Sequence, residues 1–265
     1  MENCKFINNT VDERGAGVFW NGTTGSITNC TFTGNVANQH GGGLDWGAIN
    51  GIIISSTFIN NAAASNGGAI NWETTNGHLT GCNFINNTAE RHGGGIRWAG
   101  INGTMTSCTF ISNTANTYEG GAIFWFGADG SVNNSTFNNN AASSNGGAVS
   151  WYGANGSLID SNFINNNAKQ NGGAVYWNGV NGTLTNSNFT SNTASNHGGS
   201  IHWESANGKL SNCNFINETT PGYGGSIWWN GANGSLTYSK FINNTASHAG
   251  AVCWRGANGT LSNSV

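Results

Sequence analysis

The sequence predicts an all-β chain wound as a single-stranded parallel β-helix. It reads as one domain over residues 1–265, with about ten coils of about 26 residues and three short strands per coil. Three observations predict it. A tryptophan series runs Trp20, Trp46, Trp72, Trp98, Trp125, Trp151, Trp177, Trp203, Trp229, Trp254, and a phenylalanine series runs beside it from Phe6 to Phe241. A Phe follows each Trp from Trp20 to Trp229 after twelve positions, and the return gap is fourteen except for fifteen before Trp125 and thirteen before Trp254. Such a period means units that bury their apolar faces only against their neighbours. Lastly, the unit is shorter than the roughly 33 to 47 residues of helical solenoids, and the chain carries 42 glycines.

One unit shows the elements in order. Residues 57–60, 68–72 and 78–80 are brief stretches of alternating or β-branched character. Asn-rich and Gly-rich turns separate them. The two register slips fall in the Phe-to-Trp segment, which is therefore predicted to contain a loop. Five positions after each Trp comes Gly, from Gly25 to Gly259; usually preceded by Asn, it predicts a corner with positive φ. The core is predicted as stacked columns: Phe, the aliphatic residues two before each Trp, those seven after it, and the Trp ring itself, turned inward or onto a corner. Burying one large apolar side chain contributes roughly 1.5–3 kcal/mol. Three after nearly every Phe stands Asn, with Glu218 as the exception. That column predicts an amide ladder along the axis. Coils about 4.8 Å apart give a rod on the order of 48 Å long.

Composition narrows function. Charged residues make up 7% and the net charge is −3, so there is no basic footprint for nucleic acid or anionic membrane. No apolar run approaches the roughly 20 residues that span a bilayer, and Met1-Glu2-Asn3 leads into the first repeat without a leader pattern. No nucleic-acid partner, membrane insertion, cofactor, metal or catalytic residue is predicted. The most suggestive charged group is Asp45, Glu73 and Arg97 on successive coils.

Several residue sets are candidate sites. Met1, Asn3, Cys4 and Phe6 occupy the same columns at one end as Asn263, Ser264 and Val265 approach at the other. Without a visible cap, these ends are open sheet edges on which copies could stack into a homopolymer, or continue a longer solenoid. Five cysteines share one column, so Cys4–Cys30 and Cys82–Cys108 are on adjacent coils. Packed thiols and disulfides are both compatible with that spacing, with Cys253 the candidate for an intermolecular bridge. Sequons occur at Asn8, Asn21, Asn86, Asn102, Asn155, Asn181, Asn217, Asn233, Asn243 and Asn258. The four histidines His40, His92, His197 and His248 share a column of turn residues. Beside the Trp column, Phe124, Phe126, Tyr152, Tyr176, His202 and Trp228 are expected to form an outward aromatic patch, suited to sugar rings or to rods packing side by side.

Gly-Gly-Ala-Ile at Gly67–Ile70, in part again at Gly121–Ile123, together with Phe-x-x-Asn at Phe58–Asn61 and Phe84–Asn87, resembles the repeat of polymorphic outer membrane proteins. Similar repeats occur in adhesin-like surface proteins of bacteria and methanogenic archaea. The resemblance spans the chain and implies a right-handed β-helix at the cell surface or outside the cell. The expected function is a structural subunit that assembles into a filament or sheath. The alternative is a piece of an adhesin that binds glycans or host surfaces.

Overall fold

The computed structural model describes residues 1–265 and contains strands but no helix. The chain winds through about ten coils, and equivalent strands of successive coils pair parallel and in register. In one coil the strands are Thr57–Ile59, Ala62–Ala63, Ile70–Trp72 and His78–Thr80. Their stacks are named here the Phe, Ala, Trp and Leu sheets. The Phe, Trp and Leu sheets have ten strands each. The Ala sheet, a two-residue strand beyond the three the sequence predicts, has eight and continues as single bridges at Thr219 and Thr245.

The core is the predicted set of columns. Trp46 to Trp229 are fully buried, as are Phe32 to Phe215. Successive Trp rings stack with centroids 4.6–5.0 Å apart. Stacked pairs add roughly 0.5–1.5 kcal/mol beyond their burial. A buried indole N–H needs an acceptor, and in every coil from Trp46 onward except that of Trp203, whose Nε1 has no partner, the carbonyl two residues on supplies it: Trp46 Nε1 donates to Ala48 O at 2.7 Å and Trp151 Nε1 to Gly153 O at 3.1 Å.

That indole also explains the glycine column, for a reason other than the expected one. Positive φ falls on the preceding residue, as at Asn76 (56°) and Asn155 (55°), while the following glycines are absent from the left-handed region. A Cβ on Gly156 would instead overlap the Trp151 indole. The Trp excludes a side chain at that position.

The asparagine ladder is present and buried. Asn61 donates Nδ2 to Asn87 Oδ1 at 3.0 Å and to Phe32 O at 2.9 Å, and its backbone N–H shares the same Asn87 oxygen at 3.0 Å. Each amide so satisfies backbone groups that leave the Phe sheet at a turn, where no strand partner is available. A second, exposed ladder runs along the Asn-Gly corner, for example Asn181 Nδ2 to Asn155 Oδ1 at 2.9 Å.

The serine–cysteine column has a similar task. Ser135 Oγ donates to Asn133 O at 2.9 Å; Cys30 Sγ donates to Thr28 O at 3.3 Å and Cys213 Sγ to Ser211 O at 3.2 Å. All six cysteines, Cys4, Cys30, Cys82, Cys108, Cys213 and Cys253, are free thiols here, so neither adjacent pair is bridged. Burial pushes the Cys213 thiol up to about 12.

Candidate functional site

The Trp strand has two faces with different rules. Its inner positions repeat, whereas the outward residue before each Trp differs from coil to coil: Phe19, Asp45, Asn71, Arg97, Phe124, Ser150, Tyr176, His202, Trp228, Cys253. These residues form the floor of a face running the length of the rod. One margin is the residue after the Trp strand, which supplies Glu73, Phe126, Tyr152, Asn178, Glu204, Asn230 and Arg255. The other is the turn column containing the histidines, whose bridges run Arg14–His40–Asn66 and Asn171–His197–Tyr223–His248. The longer Phe110-to-Trp125 segment takes up its extra residue in the loop before Gly120. Glu119 therefore sits in the histidine column, its carbonyl accepting from Gly93 as that of His92 accepts from Gly67.

The first four coils of this face are knitted by charge. Glu73 Oε1 lies 3.6 Å from both Arg14 and Arg97. Asn71 Nδ2 donates to Asp45 Oδ2 at 2.9 Å and to Glu73 Oε1 at 3.1 Å, and Arg97 donates to Asn71 Oδ1 at 3.1 Å. The structure thus unites Asp45, Glu73 and Arg97. Asp45 is only 1% exposed, and burial raises its carboxyl to about 6 despite the Asn71 bond. Through these bonds the trio and Asn71 tie successive coils together.

From the fifth coil onward aromatics take over. Ring centroids follow one another from His92 to Phe124 (4.4 Å), Tyr152 (5.4 Å), Tyr176 (6.0 Å), His202 (5.1 Å) and Trp228 (4.2 Å). The expected patch is therefore continuous, with one correction. Phe126 is 59% exposed and Phe124, Tyr152 and Tyr176 are half-buried, but His202 (5%) and Trp228 (8%) are covered. His197 stacks on Trp228 at 5.4 Å from the margin and Arg255 lies 6.0 Å over the same ring, so Trp228 forms the inner wall of a cleft. That cleft, about 330 Å³, is lined by His197, Tyr223, Trp228, Cys253 and Arg255. A second of about 310 Å³ lies at the start of the aromatic run among Asn66, Arg91, His92, Arg97, Phe124 and Phe126.

Polar groups along the run are held in fixed orientations. Glu119 accepts from Asn145 Nδ2 at 2.7 Å and from Ser150 Oγ at 3.0 Å. Glu204 accepts from Asn230 Nδ2 at 2.9 Å and contacts His202 Nε2 at 2.9 Å. Burial lowers the His202 imidazole despite that partner, and the His202 bond holds Glu204 below its ordinary value. Burial, then the neighbouring Glu204 and Glu119, pushes the Tyr176 phenol up to about 12; burial raises Tyr152 as well, with Glu119 beside it. Both phenols keep their O–H. The sequence reading missed Glu119, Glu204, Asn178 and Asn230. Their signal was positional: each stands in a column adjoining an aromatic one.

The other predicted sites lie elsewhere. All ten sequon asparagines are exposed, and all but Asn21 have positive φ. At the ends, Met1, Asn3, Asn263 and Val265 are exposed, and Cys4, Phe6 and Ser264 are half-buried. No group of three or more His, Cys, Asp or Glu side chains is placed to hold a metal ion.

The right-handed β-helix region family matches residues 1–164. The chain belongs to that family. The family match gives the hand of the helix and continues the same repeat that the remaining coils follow. No curated protein matches the chain. Among solved structures, two of QnrB1, a plasmid-mediated fluoroquinolone resistance protein, are similar. The full-length form is 12% identical with TM-score 0.30, covering 87% of this chain and 93% of that one. A trypsin-treated, singly substituted form is 13% identical with TM-score 0.20, covering 87% and 91%. At these scores the likeness carries no argument.

Proposed function

We propose that this β-helix is a binding module whose outer Trp-sheet face, from Phe124 to Trp228, holds an extended saccharide outside the cell or at its surface. The carrying observation is the group of accessible rings Phe124, Phe126, Tyr152 and Tyr176, continued beneath the surface by His202 and Trp228 and flanked by oriented amides and carboxylates. Sugars present apolar faces that stack on aromatic rings and hydroxyls that need fixed acceptors and donors. The resemblance to adhesin-like repeats agrees with this reading. Glycan-array binding by the purified protein, lost in Tyr176→Ala at unchanged melting temperature, is the expected result. Equal binding by the variant would remove this face from the account.

A second reading, end-to-end assembly into a filament or sheath, draws on the terminal coils. Phe6 and Trp20 at one end, and Phe241 and Trp254 at the other, are only partly buried, which leaves both aromatic stacks open. An open stack is completed by another coil, whether from more of the same chain or from a second copy. Electron microscopy separates the two: fibres favour assembly of copies, and dispersed short rods argue against it.

A further inference from the structure

We infer that the aromatic half of this face selects neutral, hydroxyl-rich saccharides and turns away acidic ones. The inference rests on the saccharide role proposed above and adds the ligand's charge class.

Between Phe124 and Trp228 the floor and both margins carry two carboxylates, Glu119 and Glu204, and no lysine or arginine. Arg91 and Arg97 stand at the first cleft and Arg255 at the second, while the exposed Lys169, two residues before Asn171, is on the turn outside the margin of the middle stretch. Neither carboxylate forms an ion pair with a lysine or arginine. Their partners are amides, a hydroxyl and an imidazole. Burial lowers the His202 pKa, so its ring donates as a neutral group and leaves the Glu204 charge in place. Hydrogen bonds from neutral donors orient a carboxylate without cancelling its charge.

Each carboxylate has acceptor capacity left after these bonds, since two oxygens offer about four lone-pair sites. A hydroxyl donates to them directly. A ligand carboxylate or sulfate cannot donate and would place a like charge beside Glu119 or Glu204 in a partly desolvated groove, where screening by water is reduced. The phenols of Tyr152 and Tyr176 lie between the two glutamates along the aromatic run. They supply stacking surface, and with the Tyr152 phenol turned to Glu119 it is the Tyr176 O–H that can donate to a ring or linkage oxygen. This middle stretch spans the coils from Phe124 to Trp228, four steps of about 4.8 Å, or about 19 Å. A ligand must therefore present hydroxyls along several successive residues.

The test is titration calorimetry at low ionic strength and pH 7. The probes are length-matched oligosaccharides: neutral cello-, manno- and chito-oligomers against oligogalacturonate and oligoguluronate. Binding of at least one neutral series, at least tenfold tighter than both uronates, is expected. The double variant Glu119→Gln, Glu204→Gln, checked for an unchanged melting temperature, should narrow that gap by relieving the repulsion on uronates. Uronates bound as tightly as or more tightly than the neutral series would overturn the charge selection, and loss of that binding in Arg255→Ala would assign it to the terminal cation. Binding of neither class here or on a wider glycan array would instead overturn the saccharide role itself.

Discussion

The two sides of one strand make the most instructive comparison in this molecule. In Ile96–Trp98, Ile96 and Trp98 face inward and match their neighbours above and below, while Arg97 faces outward and matches nothing. Inside, each column repeats because stacked coils impose one environment ten times over. A Trp that stacks on two others and closes its N–H on a local carbonyl has no freedom to vary. Outside, the same backbone presents Asp, Asn, Arg, Phe, Ser, Tyr, His, Trp and Cys in turn. The difference teaches that the interior environment repeats through the middle coils and that chemical identity is local to this face.

The comparison is broken most severely from the inside. Trp151→Ala removes a fully buried ring from the middle of its stack. It should cost about 3–5 kcal/mol in denaturant titration. Gly156→Ala places a methyl against the same ring. It should cost about 1–3 kcal/mol by overpacking, and a neutral result would return the glycine column to a purely conformational explanation.

A pH titration sharpens the interior account. Glu218 replaces Asn in the buried ladder, accepts from Asn192 N at 2.9 Å, and is pushed by burial from 4.5 up to about 8. Its folded value lies above its unfolded one. The stability present below pH 4.5 is therefore lost progressively as pH rises toward 8, at up to about 1.4 kcal/mol per pH unit. Glu218→Gln should flatten that slope. An identical slope in the variant would place the charge response elsewhere.

The smallest stability effect belongs to the outer face. Tyr176→Ala, half-buried and outside the core, should change stability by under about 1 kcal/mol yet abolish saccharide binding. A large loss of stability would mean that the outer rings are structural after all.

The inner half of this architecture was legible because Trp, Phe and Asn recur where stacking demands identity. The period alone gave the coil count, the columns and the buried amide ladder. The two-residue Ala strand was not legible, since a pair such as Thr-Ala after Asn carries no alternation long enough to register as a strand. The cause of the glycine column was misread because positive φ and an overlying indole leave the same trace in sequence. On the face itself, Phe124, Phe126, Tyr152 and Tyr176 were visible as neighbours of Trp. The burial of Trp228 depends on His197, about 30 residues away in sequence, and on Arg255 on the next coil, and that of His202 on the neighbouring Tyr176 and Trp228 rings. Glu119 stands six residues before Trp125, as His92 does before Trp98, so its place in the histidine column was legible when counted back from Trp and hidden only when counted forward from Phe110 across the one-residue insertion.

The most direct test of the division between an inert interior and a binding outer face is hydroxyl-radical footprinting of the intact protein with and without a bound neutral oligosaccharide. Protection confined to Phe126, Tyr152 and Tyr176, with no change at exposed Ile101, Val180 or Tyr238, is the predicted result. Protection at those other residues, or at Phe6 and Val265 on the terminal coils, would contradict the account.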